Sequence, residues 1–350
     1  MLLKRKLIIY KLLKIYSLLL NSMNIIFVLS IILLIITILC ILNKFSNFEN
    51  DFNKTPFPID IVYTWAGENN NKHNIKESYN NELMFSLKSI FKYMPWFNKI
   101  YIVINTPLEN NKPSWFNDLY HNKIILLDQK TIFPKKEHHK LPCKVSDIIE
   151  SYINNIPGLS EHYIYMNDDF IINKELTYKY FYDDNKILLP TSVKRSKKLN
   201  FNNNLKLKKY PYCHINEAWH PHIPYAFTKT SYNNFLNEYQ DFISWIRNSS
   251  FAIRESNNNC KKYGLNLPCK QLHYPYRIYL YKNKLGKISK DLYETYILGE
   301  TNILIDIQLL IYSKIFKCPF FVVNNIKNKN KNKITKFLQN KFPKKLYFEK

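Results

Sequence analysis

Between residues 59 and 170 the sequence alternates strand-like runs with helical spacing, and this alternation limits the fold more than any other feature. Short runs rich in Ile, Val and Tyr indicate strands, at residues 59–65, 99–105, 123–128 and 162–167. Apolar residues at three- and four-residue spacing predict one helix over 83–94, ended by Pro95, and a second over 146–156, capped by Ser146. This order is typical of an α/β fold in which helices cover a mostly parallel sheet.

An uncharged run of 18 residues, rich in Ile and Leu, occupies positions 25–42. As a helix it spans about 27 Å, close to the thickness of a bilayer core. A cleavable signal peptide has a shorter apolar region and a small-residue cleavage site, so an uncleaved transmembrane helix is predicted over residues 24–42. The basic residues before it predict a cytosolic N-terminus, and hence a single-pass type II membrane protein. They are Lys4, Arg5, Lys6, Lys11 and Lys14.

In a eukaryotic cell this orientation would place the large domain in the lumen of the Golgi or the endoplasmic reticulum. The predicted division is a basic cytosolic tail (1–23), the anchor (24–42), a stalk (43–57), the main domain (58–322) and a basic tail (323–350). Helical spacing recurs over 232–246 and 302–316, and residues 191–210 read as a loop. Sequons at Asn53 and Asn248 are consistent with a luminal glycoprotein. Disulfide pairing and oligomeric state stay open, a homodimer being one alternative.

The formal charge of +24 could indicate binding to nucleic acid. Lys and Asn are, however, scattered along the whole chain, and no zinc-finger spacing, RNP-like strand or basic heptad accompanies the charge. Nucleic acid is therefore not among the predicted partners. A positive field would still attract an anionic ligand.

Asp168 and Asp169 come directly after the predicted strand at 162–167. Ligands of open α/β sheets bind outside the carboxyl ends of the strands. Paired carboxylates there suit Mg²⁺ or Mn²⁺, because hard cations prefer oxygen ligands. A second pair, Asp183 and Asp184, reads as an ordinary surface turn, so the dipeptide alone is a weak signal.

The surroundings of Asp168 and Asp169 carry a stronger signal. Residues 141–150 and 156–170, the latter reading IPGLSEHYIYMNDDF, resemble the Stealth family of hexose-1-phosphate transferases. That family includes bacterial capsule polymerases and the enzyme that tags lysosomal hydrolases with N-acetylglucosamine-1-phosphate. The similarity extends upstream through 59–65, 81–90, 93–96, 99–105 and 113–115, in order and with family-like spacing. Later blocks at 214–255 and 295–320 match less closely.

The resemblance implies a nucleotide-sugar-transferase-like (Rossmann-like) sheet that follows the N-terminal transmembrane helix. It also implies transfer of a sugar-1-phosphate from a nucleotide-sugar, such as UDP-N-acetylglucosamine, to a hydroxyl of a glycan or glycoprotein acceptor. The products would be a phosphodiester and a nucleoside monophosphate. The expected cofactor is Mg²⁺ or Mn²⁺ on the donor diphosphate.

Roles for individual residues follow from the same resemblance. Asp168 and Asp169 are expected to hold the metal ion, with Asn167 orienting them. Glu150 and His222 are alternative general bases toward the acceptor hydroxyl, and Arg254 would clamp the transferred phosphate. The residues expected to bind the nucleotide-sugar are Asp60, Trp65, Asn81, Glu82, Asn105 and Asn167.

Two other functions are compatible with these residues. Metal-binding aspartates also serve glycosyltransferases, which release a nucleoside diphosphate. The weaker second half is compatible with an inactive, membrane-bound glycan-binding protein. The family blocks favour phosphotransfer over both.

Overall fold

The computed structural model describes residues 11, 30–38, 54–67, 81–117, 122–191, 223–248, 272–292, 295–298, 319–323 and 328–350. The chain divides into two units, Met1–Lys54 and Thr55–Lys350. The predicted helix at 302–316, the predicted loop beyond residue 191 and every cysteine except Cys143 lie outside the described residues. Cys143 itself is a buried free thiol.

In the first unit, residues 30–38 are helical, and the hydroxyl of Thr37 donates to the carbonyl of Leu33 at 2.8 Å. Within the part of the chain that is described, no helix combines the length and apolar character needed to cross a bilayer. Most of the predicted span at 24–42 falls outside that part, so the anchor stays a prediction.

The second unit contains the predicted strands and helices together with several further ones. Its strands are β1 Ile59–Trp65, β2 Ile100–Ile104, β3 Ile124–Asp128, β4 His162–Asn167, β5 Phe170–Ile172, β6 Tyr182–Asp183, β7 Lys186–Thr191, β8 Tyr225–Thr228, β9 Gly286–Leu292, β10 Thr295–Leu298 and β11 Phe320–Val323. Its α-helices are α1 Glu82–Tyr93, α2 Leu108–Asn111, α3 Gln129–Ile132, α4 Ser146–Glu150, α5 Lys229–Glu238, α6 Gln240–Arg247, α7 His273–Lys282 and α8 Asn328–Lys341. Short 3-10 turns occupy Lys135–Lys140, Ile153–Asn155 and Tyr178–Tyr180.

The central sheet has the strand order β3-β2-β1-β4-β8. Strands β1 to β4 are parallel, and β8 is antiparallel to β4. Thr64 is paired with Asn167 and Trp65 with Ile104, so the carboxyl ends of three strands meet at one edge. Every residue of β2 is buried, as expected where helices cover both faces of a sheet. The predicted mostly parallel α/β fold is confirmed.

Helix α1 forms where the spacing predicts it. Its residues Leu83, Leu87 and Ile90 are at most 1% exposed and join the main core. The helix ends at Tyr93, two residues before Pro95, whose ring cannot continue a helix. Local sequence and tertiary packing agree here.

Helix α4 is shorter than predicted. It ends at Glu150, a 3-10 turn follows, and Val145 rather than Ser146 takes the cap position, without a side-chain bond. The side chain of Arg247 donates to the carbonyl and the hydroxyl oxygen of Ser151, at 2.7 and 3.0 Å. Because the Ser151 carbonyl is satisfied from another helix, it does not require a continued turn.

The predicted helix at 232–246 is two helices, α5 and α6, separated by Tyr239 with φ −112° and ψ 40°. The ring of Tyr239 lies 5.4 Å from the ring of Phe235 and 6.3 Å from that of Tyr279. Aromatic packing therefore accompanies the break.

The C-terminal segment is not the separate basic tail that its composition suggests. Helix α8 places Ile334 and Leu338 in a small core with Phe85 and Phe321. Phe348 is fully buried in the main core, and the backbone amide of Asn117 donates to its carbonyl at 2.8 Å. Helix α8 has few apolar residues among many lysines, and its narrow apolar face was not recognised in the sequence.

Candidate active site

A cavity of about 270 Å³ lies at the carboxyl edge of the central sheet. Residues that follow β1, β2 and β4 form part of its wall, and the segment around α4, strand β8 and the start of α7 form the rest. The lining residues are Thr64, Trp65, Ala66, Asn105, Cys143, Lys144, Ser146, Ile149, Glu150, Tyr165, Asn167, Asp168, Phe170, Tyr225 and His273. This edge is where open α/β sheets bind ligands.

Asp168 lines the cavity, and Asp169 is its buried neighbour in the turn between β4 and β5. Burial raises the pKa of Asp168 to about 6, although backbone amides of the turn partly offset the shift. Burial and then the charge of Asp168 raise the pKa of Asp169 well above its usual value. Two adjacent carboxyl groups held this way need a cation if both are to be ionised at neutral pH.

Oδ1 of Asp169 is buried and has no hydrogen-bond partner among the described residues. An unsatisfied buried carboxylate oxygen is costly, and a bound cation would satisfy it. Glu82, at the start of α1 and 8% exposed, adds a further negative charge that raises the pKa of Asp169. The local field at the turn is therefore strongly negative.

Mg²⁺ fits this arrangement. It is usually bound through one or two carboxylates plus substrate phosphates rather than by a complete cage of protein ligands. Among the described residues, no group of three or more His, Cys, Asp or Glu side chains is placed to hold a metal ion. Asp168 and Asp169 are the residues that would hold the cation.

Glu150 lines the cavity and is 6% exposed. Burial, and after it the nearby carboxylate of Glu150, raise the pKa of the Tyr165 hydroxyl. Oε2 of Glu150 lies 3.8 Å from Nδ1 of His273. The His273 ring in turn stacks on Tyr225, with ring centroids 4.1 Å apart. Glu150 is thus buried among groups that can share a proton.

Lys144 lines the cavity with an exposed side chain. It is the only lysine or arginine among the described residues of the lining. A flexible ammonium group beside a carboxylate-rich cavity can approach a phosphate as a point charge.

The residues predicted to bind the nucleotide-sugar do not all lie at the cavity. Trp65 and Asn167 line the cavity. Asn105 also lines it, but its side chain holds two neighbours: Nδ2 donates to the Ala66 carbonyl at 2.6 Å, and Oδ1 accepts from Gln129 at 2.8 Å. Asn105 therefore braces the wall of the cavity.

Asn81 and Glu82 lie at the start of α1 and outside the lining of the cavity. Asn81 takes the cap position with φ 60° and makes no side-chain cap bond. Glu82 acts on the site through its charge near Asp169. A direct contact of these two residues with the donor stays a prediction.

Asp60, a predicted nucleotide contact, lies away from the cavity. Asp60 is the second residue of β1, at the end of the strand opposite the cavity, and is 0% exposed. Oδ1 accepts from Asn98 Nδ2 at 2.9 Å and from the Lys99 amide at 3.1 Å, and Oδ2 accepts from the Ser160 amide at 2.7 Å. Its carboxylate ties together the loops that lead into β2 and β4, which is a structural role.

His222 and Arg254 lie outside the described residues, so their roles stay predictions. Sequence reasoning missed Lys144, Tyr225 and His273. Lys144 stood inside the family-like segment at 141–150, and its position was the available signal. His273 begins a helix more than a hundred residues away, and no local pattern pairs it with Glu150.

Comparison with known proteins adds independent information. Residues 76–189 match the sequence model described as Stealth protein CR2, conserved region 2. The chain is 32% identical over 157 residues to the capsular polysaccharide phosphotransferase fcs1 of Haemophilus influenzae, covering 39% of this chain and 41% of that protein. It is 32% identical over 159 residues to the capsular polysaccharide phosphotransferase LcbA of Neisseria meningitidis, covering 40% and 42%.

The exopolysaccharide phosphotransferase cps2G of Lactiplantibacillus plantarum is 26% identical over 260 residues, which is 59% of this chain and 74% of that protein. The chain thus spans about two fifths of the length of the first two relatives. A solved structure of LgtC superposes with a TM-score of 0.42 at 9% identity, covering 80% of this chain and 95% of that chain.

The family-model match covers both β4 and the Asp168–Asp169 turn that follows it. It also covers α1, Lys144 and Glu150, so a large part of the wall of the cavity belongs to the matched region. The resemblance found in the sequence is confirmed: residues 76–189 match conserved region 2 of the Stealth family, and relatives that are 32% identical are capsular polysaccharide phosphotransferases.

Proposed function

We propose that this protein transfers a sugar-1-phosphate from a nucleotide-sugar to a hydroxyl of a glycan or glycoprotein acceptor, with Mg²⁺ or Mn²⁺ as cofactor. The observation that carries the proposal is the turn after β4. There, two buried carboxylates lie at the carboxyl edge of a parallel sheet, one of them with an unsatisfied buried oxygen, and Asp168 lines the cavity.

Charge in the cavity supports a diphosphate donor. When bound by Asp168 and Asp169, the cation would neutralise charge on the phosphates and favour departure of the nucleotide. Lys144 supplies a second positive charge at the same cavity. Trp65 and Asn167 offer an aromatic surface and an amide to the rest of the donor.

The reaction itself is a displacement at the β-phosphorus, which carries the sugar. The acceptor oxygen forms a bond to this phosphorus, and the bond from the same phosphorus to the bridging oxygen of the α-phosphate breaks. The electron pair leaves with the nucleoside monophosphate, and the hydroxyl proton passes to a base. Glu150, or a group paired with it, is placed in the cavity to supply that base.

The names of the relatives support the class of reaction. Those with 32% identity are capsular polysaccharide phosphotransferases, and cps2G is an exopolysaccharide phosphotransferase. The matched region includes Glu150, Asp168 and Asp169.

The test is to incubate the purified full-length chain with a panel of nucleotide-sugars, a glycan acceptor and Mg²⁺, and to identify the released nucleotide. With a uridine donor, release of UMP together with a new phosphodiester in the acceptor is expected. Release of UDP would instead identify a glycosyltransferase. Glycan binding without release of either nucleotide would identify a binding protein.

We also propose that the chain is a single-pass type II membrane protein with its second unit in the lumen of the Golgi or endoplasmic reticulum. The uncharged run at 25–42 and the basic residues before it support this topology. Retention in membranes after alkaline carbonate extraction, with protease protection of the second unit in sealed vesicles, is expected. Release by carbonate would contradict the anchor.

A further inference from the structure

Glu150 and His273 form a carboxylate–imidazole pair in the wall of the cavity. Nδ1 of His273 lies 3.8 Å from Oε2 of Glu150, and both side chains are 8% exposed. Both residues line the same cavity as Asp168. The separation is slightly longer than a hydrogen bond, and catalytic hydrogen bonds are often long before substrate is bound.

Backbone contacts hold the two residues near each other. Oδ1 of Asp147, in α4, accepts from the amide of Leu272 at 3.0 Å, which fixes the start of α7 against α4. The hydroxyl of Tyr232 donates to the Glu150 carbonyl at 3.2 Å. These two hydrogen bonds hold the backbone at Glu150 and the backbone next to His273 in place.

The environment of the imidazole is aromatic on one face and charged around its edge. Tyr225 stacks on the ring with an interplanar angle of 28°. Titratable or charged groups near the pair are Asp147 of α4, Tyr165 of β4, Tyr225 of β8, Tyr232 of α5 and Arg277 of α7, with Lys144 and Asp168 on the same cavity. Burial lowers the pKa of Arg277 only to about 10, so it remains a cation.

This arrangement has a known chemical use. A carboxylate beside one nitrogen of an imidazole orients the ring and stabilises the imidazolium that forms when the other nitrogen takes a proton. Glu150 beside Nδ1 of His273 has this geometry.

We propose that His273 is the general base of the transfer and that Glu150 is a positioning residue that orients it. This inference rests on the proposed function and names the base for the same site. The acceptor O–H bond breaks as the new O–P bond forms. The proton passes to the imidazole, whose positive charge is then paired with Glu150, while the nucleoside monophosphate departs.

The test compares His273→Gln, Glu150→Gln and, as a matched control, His162→Gln in the full-length chain. His162 lies at the start of β4 and stacks on Phe57, away from the cavity. General-base loss typically costs about 10²- to 10⁴-fold. His273→Gln is therefore expected to lower kcat by about 10²-fold or more, to remove the acidic limb of the pH profile, and to leave the Kd for the donor within about threefold. His162→Gln should retain the acidic limb.

If His273→Gln keeps the acidic limb and Glu150→Gln loses it, Glu150 is itself the base and the proposal is overturned. Wild-type-like kcat in His273→Gln overturns it equally. An NMR titration tests the interaction between Glu150 and His273 without requiring turnover. The His273 ring should titrate at lower pH in Glu150→Gln than in the wild type. An unchanged titration would contradict the pairing. Release of UDP rather than UMP would contradict the proposed function and leave the pairing to the NMR result.

Discussion

Two Asp-Asp pairs lie fifteen residues apart in this chain, each close to the end of a strand. The fold places them in opposite environments. Asp168 and Asp169 lie in a buried turn at the carboxyl edge of the central sheet, beside the cavity. Asp183 and Asp184 lie in the hairpin between β6 and β7, where Asp184 has φ 52°. Asp183 is ion-paired with Lys287, and the two side chains are about half exposed, 42% and 53%.

The difference shows that position, and not the dipeptide, gives a carboxylate pair its chemistry. In the hairpin, water and Lys287 stabilise the charges, so no further cation is required. At the sheet edge, burial raises the pKa of both carboxyl groups, and one oxygen has no partner among the described residues. Only the second arrangement is incomplete without a ligand.

The largest expected effect is on turnover. Asp168→Asn and Asp169→Asn should each lower kcat/KM by about 10³-fold or more, because a preorganised charge site supplies several kcal/mol to the transition state. The assay measures release of nucleoside monophosphate. Asp184→Asn is the matched control and should retain activity, since Asn also tolerates its left-handed backbone. Undiminished activity in Asp168→Asn would remove the distinction between the two pairs.

Asp60 provides a second contrast, in stability. Its buried carboxylate accepts three hydrogen bonds, so Asp60→Asn places an NH₂ group against a donor and should lower the free energy of unfolding by about 2–3 kcal/mol. Urea unfolding of the full-length chain measures this. Donor affinity below the unfolding transition should stay unchanged. A selective loss of donor binding would restore the nucleotide contact that the sequence suggested.

Replacing Asp by Asn should have the opposite effect on the free energy of unfolding at Asp169. Without metal at pH 7, Asp169→Asn removes a buried carboxyl group whose raised pKa lowers the stability of the folded state, and it should raise the free energy of unfolding by about 1–2 kcal/mol. In the wild type, the folded state retains a proton that the unfolded state has lost between pH about 4 and about 6, the usual and the raised pKa of Asp168.

The stability of the metal-free wild type should therefore fall as pH rises through that window, and Asp168→Asn should flatten the fall. Urea unfolding in EDTA at several pH values measures this slope. A wild-type stability that rises with pH over the same window would contradict the burial of these carboxyl groups.

The smallest expected effect is that of Lys144→Ala. An exposed point charge is worth little by itself, so about a tenfold rise in KM for the donor, with kcat nearly unchanged, is expected. Steady-state kinetics measure it. Lys130→Ala, at an exposed lysine outside the cavity, is the control. Equal behaviour of the two variants would remove Lys144 from the donor site.

Local signals predicted the strands and α1 because β-branched runs and helical spacing are properties of neighbouring residues. Strand β4 has the bounds that the sequence predicts. Local signals did not predict contacts between residues that are distant in sequence. Arg247 donates to the Ser151 carbonyl just after α4, and the Leu272 amide donates to the Asp147 side chain. The C-terminal helix was missed because lysines dilute its apolar face.

In the candidate site too, local sequence signals were predictive and contacts between distant residues were not. Asp168 could be placed because it directly follows a strand whose carboxyl end is predictable. The nucleotide contact of Asp60 was inferred by resemblance, although Asp60 lies at the end of its strand opposite the cavity. His273 could not be paired with Glu150, since only tertiary structure brings α4 and α7 together.

Binding of Mn²⁺ in the presence of UDP, followed by electron paramagnetic resonance, tests the central claim most directly. The wild type and Asp184→Asn should bind one ion with similar affinity, and Asp168→Asn and Asp169→Asn should lose that binding. If all four proteins bind Mn²⁺ equally well, or if the wild type binds none, then the turn after β4 is not the metal site.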